Sequence, residues 1–95
     1  MNKKEIFAEA IKIIRKYLAE DYKILLFGSW ARGDAWRTSD LDIGILGATE
    51  APWDKMLKIR REIDNIPTLR KIDVVDLNST ESEFKENVLK YAKAL

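Results

Sequence analysis

Apolar positions along the chain follow two periods, and the changes between them divide it into elements. Ile6, Phe7, Ala10, Ile11, Ile14, Tyr17 and Leu18 recur at spacings of three and four. This predicts an amphipathic helix with one apolar face. Asn2, with Glu5 three residues on, reads as the capping box that starts it. Residues 23–27 (KILLF) form a short apolar run ending at Gly28, the mark of a buried strand. Residues 28–39 hold two glycines and many polar side chains, with room for a short helix near 29–32. Residues 41–46 (LDIGIL) alternate at their start and predict a second strand, ended by Gly47. Trp53, Met56, Leu57, Ile59, Ile63 and Ile66 predict a helix over 53–66, closed by Pro67. Residues 71–77 (KIDVVDL) read as a third strand. Thr80 and Glu83 read as a second capping box, and Phe84, Val88, Leu89, Tyr91, Ala92 and Leu95 predict a C-terminal helix. The order αβ(α)βαβα specifies an α/β architecture, a small sheet with helices packed against it.

Composition narrows the chemistry. At 95 residues a single domain spanning 1–95 is expected. Such a domain buries roughly 65% of the surface of its unfolded chain. A large substrate must then be gripped partly by another chain. Cysteine and histidine are absent, which excludes disulfides, thiol nucleophiles, imidazole bases and Cys- or His-ligated metals. Acid–base or metal chemistry falls to Asp, Glu, Lys or Tyr. A formal net charge of +1 gives no footprint for bulk nucleic-acid binding. No apolar run approaches the ~20 residues of a membrane span, and the N-terminus lacks a signal-peptide core. A soluble, cytoplasmic protein is expected.

The carboxylates carry the strongest signal. Asp40 and Asp42 flank Leu41 at the start of the second predicted strand. Residues i and i+2 of a strand point to one face, so the two acids can share a site while Leu41 and Ile43 face the core. Asp73 sits inside the third strand between Ile72 and Val74, where an acid is costly unless something pairs with it. Three aspartates on one face repel one another until one takes a proton or a divalent cation neutralises them. With only oxygen ligands, the fitting ions are Mg²⁺ or Mn²⁺, and two of them would clamp an in-line phosphoryl displacement. Gly28-Ser29 directly follows the first strand. The glycine lets a phosphate approach the backbone, and Ser29 adds a hydroxyl where a short helix can begin. Arg32, one turn on, can reach the same phosphates. A phosphate cradle and a metal-binding aspartate pair joined by one loop fit a metal-bound nucleoside triphosphate.

The run Gly28-Ser29-Trp30-Ala31-Arg32-Gly33-Asp34-Ala35, followed by Ser39-Asp40-Leu41-Asp42-Ile43, resembles the signature of the DNA polymerase beta-like nucleotidyltransferase superfamily. It is most similar to the smallest branch, the minimal nucleotidyltransferases of bacteria and archaea. Ile72-Asp73-Val74-Val75-Asp76-Leu77 matches that branch too. The resemblance covers nearly the whole chain. It implies an α+β-type nucleotidyltransferase core with a small mixed sheet of three to four strands. It implies that Asp40 and Asp42 ligate the metals carrying the triphosphate, with two Mg²⁺ expected. Asp73 would be the third carboxylate, favouring deprotonation of the attacking hydroxyl. Gly28 and Ser29 would hold the phosphates, helped by Arg32; Ser39 is a further phosphate-binding candidate, whose plainer role is to position the loop by bonding to backbone near Asp40. The implied reaction moves a nucleoside monophosphate, AMP from ATP, onto a hydroxyl. The implied partner is a HEPN-domain protein, for which this chain would be the antitoxin; self-association is a further expectation. Two other readings stand beside this one: an antitoxin that binds and occludes its HEPN partner without catalysis, and the catalytic subunit of a small-molecule nucleotidyltransferase.

Each feature also has a plainer reading. Ser29 can cap the short helix, and Arg32 can be a surface ion-pair member. Asp76, three positions from Asp73, points to the opposite face and reads as a turn or surface residue. Trp30 and Trp36 can stack on a base or anchor a partner, whereas Trp53 is expected to staple its helix to the sheet. Lys55, Lys58, Arg60 and Arg61 read as the solvated face of a helix, and Tyr17 and Tyr91 as members of core stripes.

Overall fold

The computed structural model describes residues 2–33 and 40–95. Helix α1 (Lys3–Tyr17) begins at the expected capping box: Glu5 N–H donates to the Asn2 side chain at 2.8 Å, and Asn2 N–H donates back to Glu5 at 3.4 Å. Strand β1 (Lys23–Phe27), the four-residue helix α2 (Ser29–Arg32) and strand β2 (Leu41–Leu46) follow. Helix α3 (Trp53–Asp64) leads to strand β3 (Ile72–Asp76), a 3₁₀ turn (Leu77–Ser79), helix α4 (Ser82–Leu89) and a two-residue strand β4 (Lys93–Ala94).

The four strands form one mixed sheet in the order β3-β2-β1-β4. β1 runs antiparallel to β2 and β4, and β2 runs parallel to β3. The parallel pair is possible because α3 carries the chain back across the sheet. Alternation along β2 separates two environments. Leu41, Ile43 and Ile45 are fully buried against α1 and α3, with Ile6, Ala10 and Ile14 of α1 and Met56, Ile59 and Ile63 of α3. Each such side chain contributes about 1.5–3 kcal/mol by leaving water. The other face carries a smaller cluster of Leu25, Phe27, Leu77 and Val88. Gly44 lies on that second face, where a Cβ would come within 2.9 Å of Leu77; the missing side chain lets the 3₁₀ turn pack flat on the sheet.

Three expectations are corrected. The C-terminal helix stops at Leu89 and does not run through Leu95. Tyr91 and Ala92 N–H groups close the helix end on the Val88 carbonyl, and Leu95 N–H then donates to Ile24 O at 2.9 Å. The open edge of β1 offers unpaired backbone groups, and pairing with them displaces another turn of helix. Thr80 and Glu83 make no capping box: Glu81 is the cap residue, without a side-chain bond, and the Thr80 hydroxyl donates to Leu77 O at 2.7 Å. Trp53 does not staple α3 to the sheet, being 78% exposed; Met56, Ile59 and Ile63 do that work. Among the described residues, no helix is long and apolar enough to cross a membrane.

Candidate active site

The site lies at one end of the sheet, where β1 stops and β2 and β3 begin. Gly28 holds φ +75° and ψ −158°, a conformation open in practice only to glycine. This bend turns β1 sharply into α2. A Cβ at Gly28 would fall 2.1 Å from Asp42 Oδ2, so the absent side chain also leaves space for that carboxylate. Gly28 O accepts from the N–H groups of Ala31 and Arg32, both at 3.1 Å, and Gly33 ends the helix in the left-handed region. Gly28 is thus the cap of α2 and makes no side-chain bond; Ser29 is the first helical residue and not its cap.

Strand register brings the acids together. Asp42 stands opposite Phe27 on β1 and directly beside Asp73 on β3. Asp40 is exposed just before β2. Burial first, then the charges of Asp73 and Asp40, push the Asp42 carboxyl above its ordinary range, while Arg32 and Lys71 pull it down. Asp40, Asp42, Asp73, Gly28, Ser29 and Arg32 all line one open cleft of about 920 Å³. The expected constellation therefore shares one cavity. The carboxylates do not converge on a point. Asp73 Oδ1 leans toward Lys71 Nζ at 3.7 Å, and among the described residues no three acidic side chains are gathered closely enough to hold a metal ion. Ser39 and Trp36 lie outside the described residues.

Three cleft residues escaped the sequence reading. Arg60 is not merely a solvated cation of α3. Its Nε and Nη2 donate to Val74 O at 3.3 and 3.1 Å, and its side chain lines the cleft beside Asp73. Its position one helical step from Ile59 was the available signal, since it places a long side chain at the margin of the buried face. Tyr91 packs against the second core but also reaches the cleft. Its hydroxyl accepts from Arg32 Nη1 at 3.3 Å, and the Arg32 guanidinium lies 5.4 Å from its ring centre. Phe84 lines the same wall, its ring T-shaped against Phe27 with centres 6.2 Å apart.

Other candidates resolve differently. Asp76 does face away from Asp73, but it is buried and not a surface residue. It accepts from Ala51 N–H at 2.7 Å and Asn78 N–H at 3.0 Å, tying the loop before α3 to the end of β3. Trp30 packs against the main core, with Lys3 and Arg70 4.5 and 5.1 Å from its ring centre. Tyr17 packs on that core as expected, and its hydroxyl also donates to Glu62 of α3.

This chain resembles known proteins. It belongs to the polymerase beta nucleotidyltransferase family, whose model matches residues 8–95. It is 32% identical over 89 residues to the protein adenylyltransferase MntA of Shewanella oneidensis, a match covering 90% of this chain and 60% of that protein. The chain thus spans less than two-thirds of that relative. A chain of a solved toxin–antitoxin complex with AMP-PNP is 28% identical, with a TM-score of 0.66 over 92% of this chain and 69% of its own length. A fold match at 22% identity and TM-score 0.72 covers 98% of this chain and 71% of a chain in the complex of the tri-AMPylated Shewanella oneidensis HEPN toxin with its MNT antitoxin.

Proposed function

We propose that this nucleotidyltransferase-family chain is a metal-dependent protein adenylyltransferase. It moves AMP from ATP onto a hydroxyl of a HEPN-domain partner and so acts as the antitoxin of a pair. The observation that carries this reading is the register of Asp42 against Asp73, with Gly28 bent around the Asp42 carboxylate and Ser29 and Arg32 in the same cleft. The name of the Shewanella relative and the AMP-PNP and HEPN complexes of the similar structures support the adenylyl donor and the partner.

The donor set suits a hard divalent cation. Asp40, Asp42 and Asp73 offer only carboxylate oxygens, and the upward push on Asp42, from burial first and then from its two acidic neighbours, is a strain that Mg²⁺ or Mn²⁺ relieves. These three residues line the cleft and would hold the ions once Asp73 turns from Lys71 toward Asp42, two in the full arrangement. The chemistry they supply when bound is neutralisation of the triphosphate and polarisation of the acceptor hydroxyl. Gly28 gives the phosphates access to backbone. Ser29 donates its hydroxyl to a phosphate oxygen. Arg32, steadied by Tyr91, sets a guanidinium against the phosphate charge. Asp73, on the edge strand β3, stands where an acceptor entering from outside can lose its proton. Adenylyl transfer then joins the acceptor oxygen to the α-phosphorus and breaks its bond to the bridging oxygen, releasing pyrophosphate.

Labelled ATP, Mg²⁺ and a HEPN-domain protein form the test. Label is expected on the HEPN protein only when both proteins and the metal are present. Neutralisation of the HEPN protein without label would instead favour simple occlusion.

A further inference from the structure

We propose that the exposed ring of Phe84 is the platform on which the base of the nucleoside triphosphate stacks. This rests on the phosphate cradle assigned above and adds its second half.

Phe84 is 44% exposed although it sits on α4 against the second core. Its contact with the buried ring of Phe27 is edge-to-face, with 88° between the planes. That T-shaped geometry is favourable in its own right, and it leaves Phe84 44% exposed as part of the open cleft wall. Phe27 is joined directly to Gly28 and stands opposite Asp42. The ring is therefore one side chain removed from the turn assigned to the phosphates, on the same face of the sheet as Asp42 and Asp73. Val75 and Tyr91 continue the wall. Tyr91 is already engaged by Arg32, so among the described cleft residues Phe84 is the aromatic surface open to a flat ligand. Trp30 is not a substitute, because it packs on the main core beneath Lys3 and Arg70. A ligand with an anionic tail and a flat ring has one place for each: the tail at Gly28, Ser29 and Arg32, the ring on Phe84. Stacking of a base on an aromatic side chain is favourable for any base because each has a π-face.

Calorimetric titration of wild type and Phe84→Leu with Mg-ATP and with Mg-tripolyphosphate separates the two halves. Leucine keeps an apolar cover on Phe27 and removes the flat face. The expected result is an affinity for ATP lowered about tenfold, the scale of one lost base stack, with tripolyphosphate affinity unchanged. Phe84→Trp should restore ATP binding. Loss of both ligands together in Phe84→Leu, alongside an unchanged melting temperature, would mean that Phe84 only supports the cradle, and the platform would be overturned. If wild type binds both ligands and Phe84→Leu binds both equally well, the platform falls and the nucleotide reading stands. If wild type binds neither, the nucleotide reading itself fails.

Discussion

Leu41 and Asp42 are adjacent in sequence, and their side chains enter opposite regions of the molecule. On one face of β2, Leu41, Ile43 and Ile45 are sealed under two long helices and exclude water entirely. On the other, Asp42 is half-buried beside a second acid, and only α4 and a 3₁₀ turn cover part of the sheet. Stability is concentrated on the first face. The second can then hold groups that repel one another, because the fold does not depend on their being comfortable. A strand with alternating sides lets one short sequence serve both needs.

The largest test of this division is Asp42→Asn. Nucleotidyl transfer should fall by on the order of 10³-fold or more, the scale of losing a fixed charge at a reacting centre, while the melting temperature stays level or rises. The sign follows from the carboxyl's raised folded-state pKa. Its contribution to stability is fully present below its ordinary value of 3.8 and is lost as pH rises through the raised value. At neutral pH ionised Asp42 is therefore a burden that asparagine removes. A marked drop in melting temperature would show that the acidic face is structural after all.

Ile43→Ala makes the converse change one residue away. Denaturant unfolding should show a loss of about 3–4 kcal/mol from the cavity left in the sealed core. Nucleotide affinity of the molecules that remain folded should be unchanged. Next in size, Ser29→Ala should cost about 1–2 kcal/mol of triphosphate affinity with no change in melting, as expected for one hydrogen bond to a charged group; unchanged affinity would leave Ser29 without a phosphate role.

The smallest effect belongs to the far side of the first face. There Lys16 and Tyr17 of α1 both donate to Glu62 of α3 and hold its carboxyl below the usual range. A depressed carboxylate stabilises above its ordinary value of 4.5, and that gain is lost as pH falls through the lowered one. Glu62→Gln should lower the melting temperature slightly at pH 7, and the difference should vanish in acid. Being only partly buried and screened by solvent, the cluster should contribute little.

Legibility in the sequence followed the same division. Elements of the sealed face were readable because periodicity reports burial directly: the strands at 23–27 and 41–46 and the capping box at Asn2 stand where the pattern puts them. The aspartates and the Gly28 turn were readable because an acid at a strand start and a glycine at a strand end break that pattern. The half-covered face was harder. Whether residues 91–95 continue a helix or join β1 depends on an unpaired strand edge distant in sequence, and no local pattern reports it. Tyr91 has the spacing of a core residue and is one, yet its hydroxyl meets Arg32 across 59 positions of chain. Trp53 is large without being buried, because Met56, Ile59 and Ile63 already fill the underside of α3.

Arg60 has a consequence that reaches beyond the cleft. β3 is the outermost strand on its side, and a bare strand flank invites the same flank of another copy to zip onto it. The forked guanidinium occupies the outward carbonyl of Val74 and plants a positive charge on that rim. Two copies approaching flank to flank would each bring such a charge, which disfavours edge-to-edge pairing there.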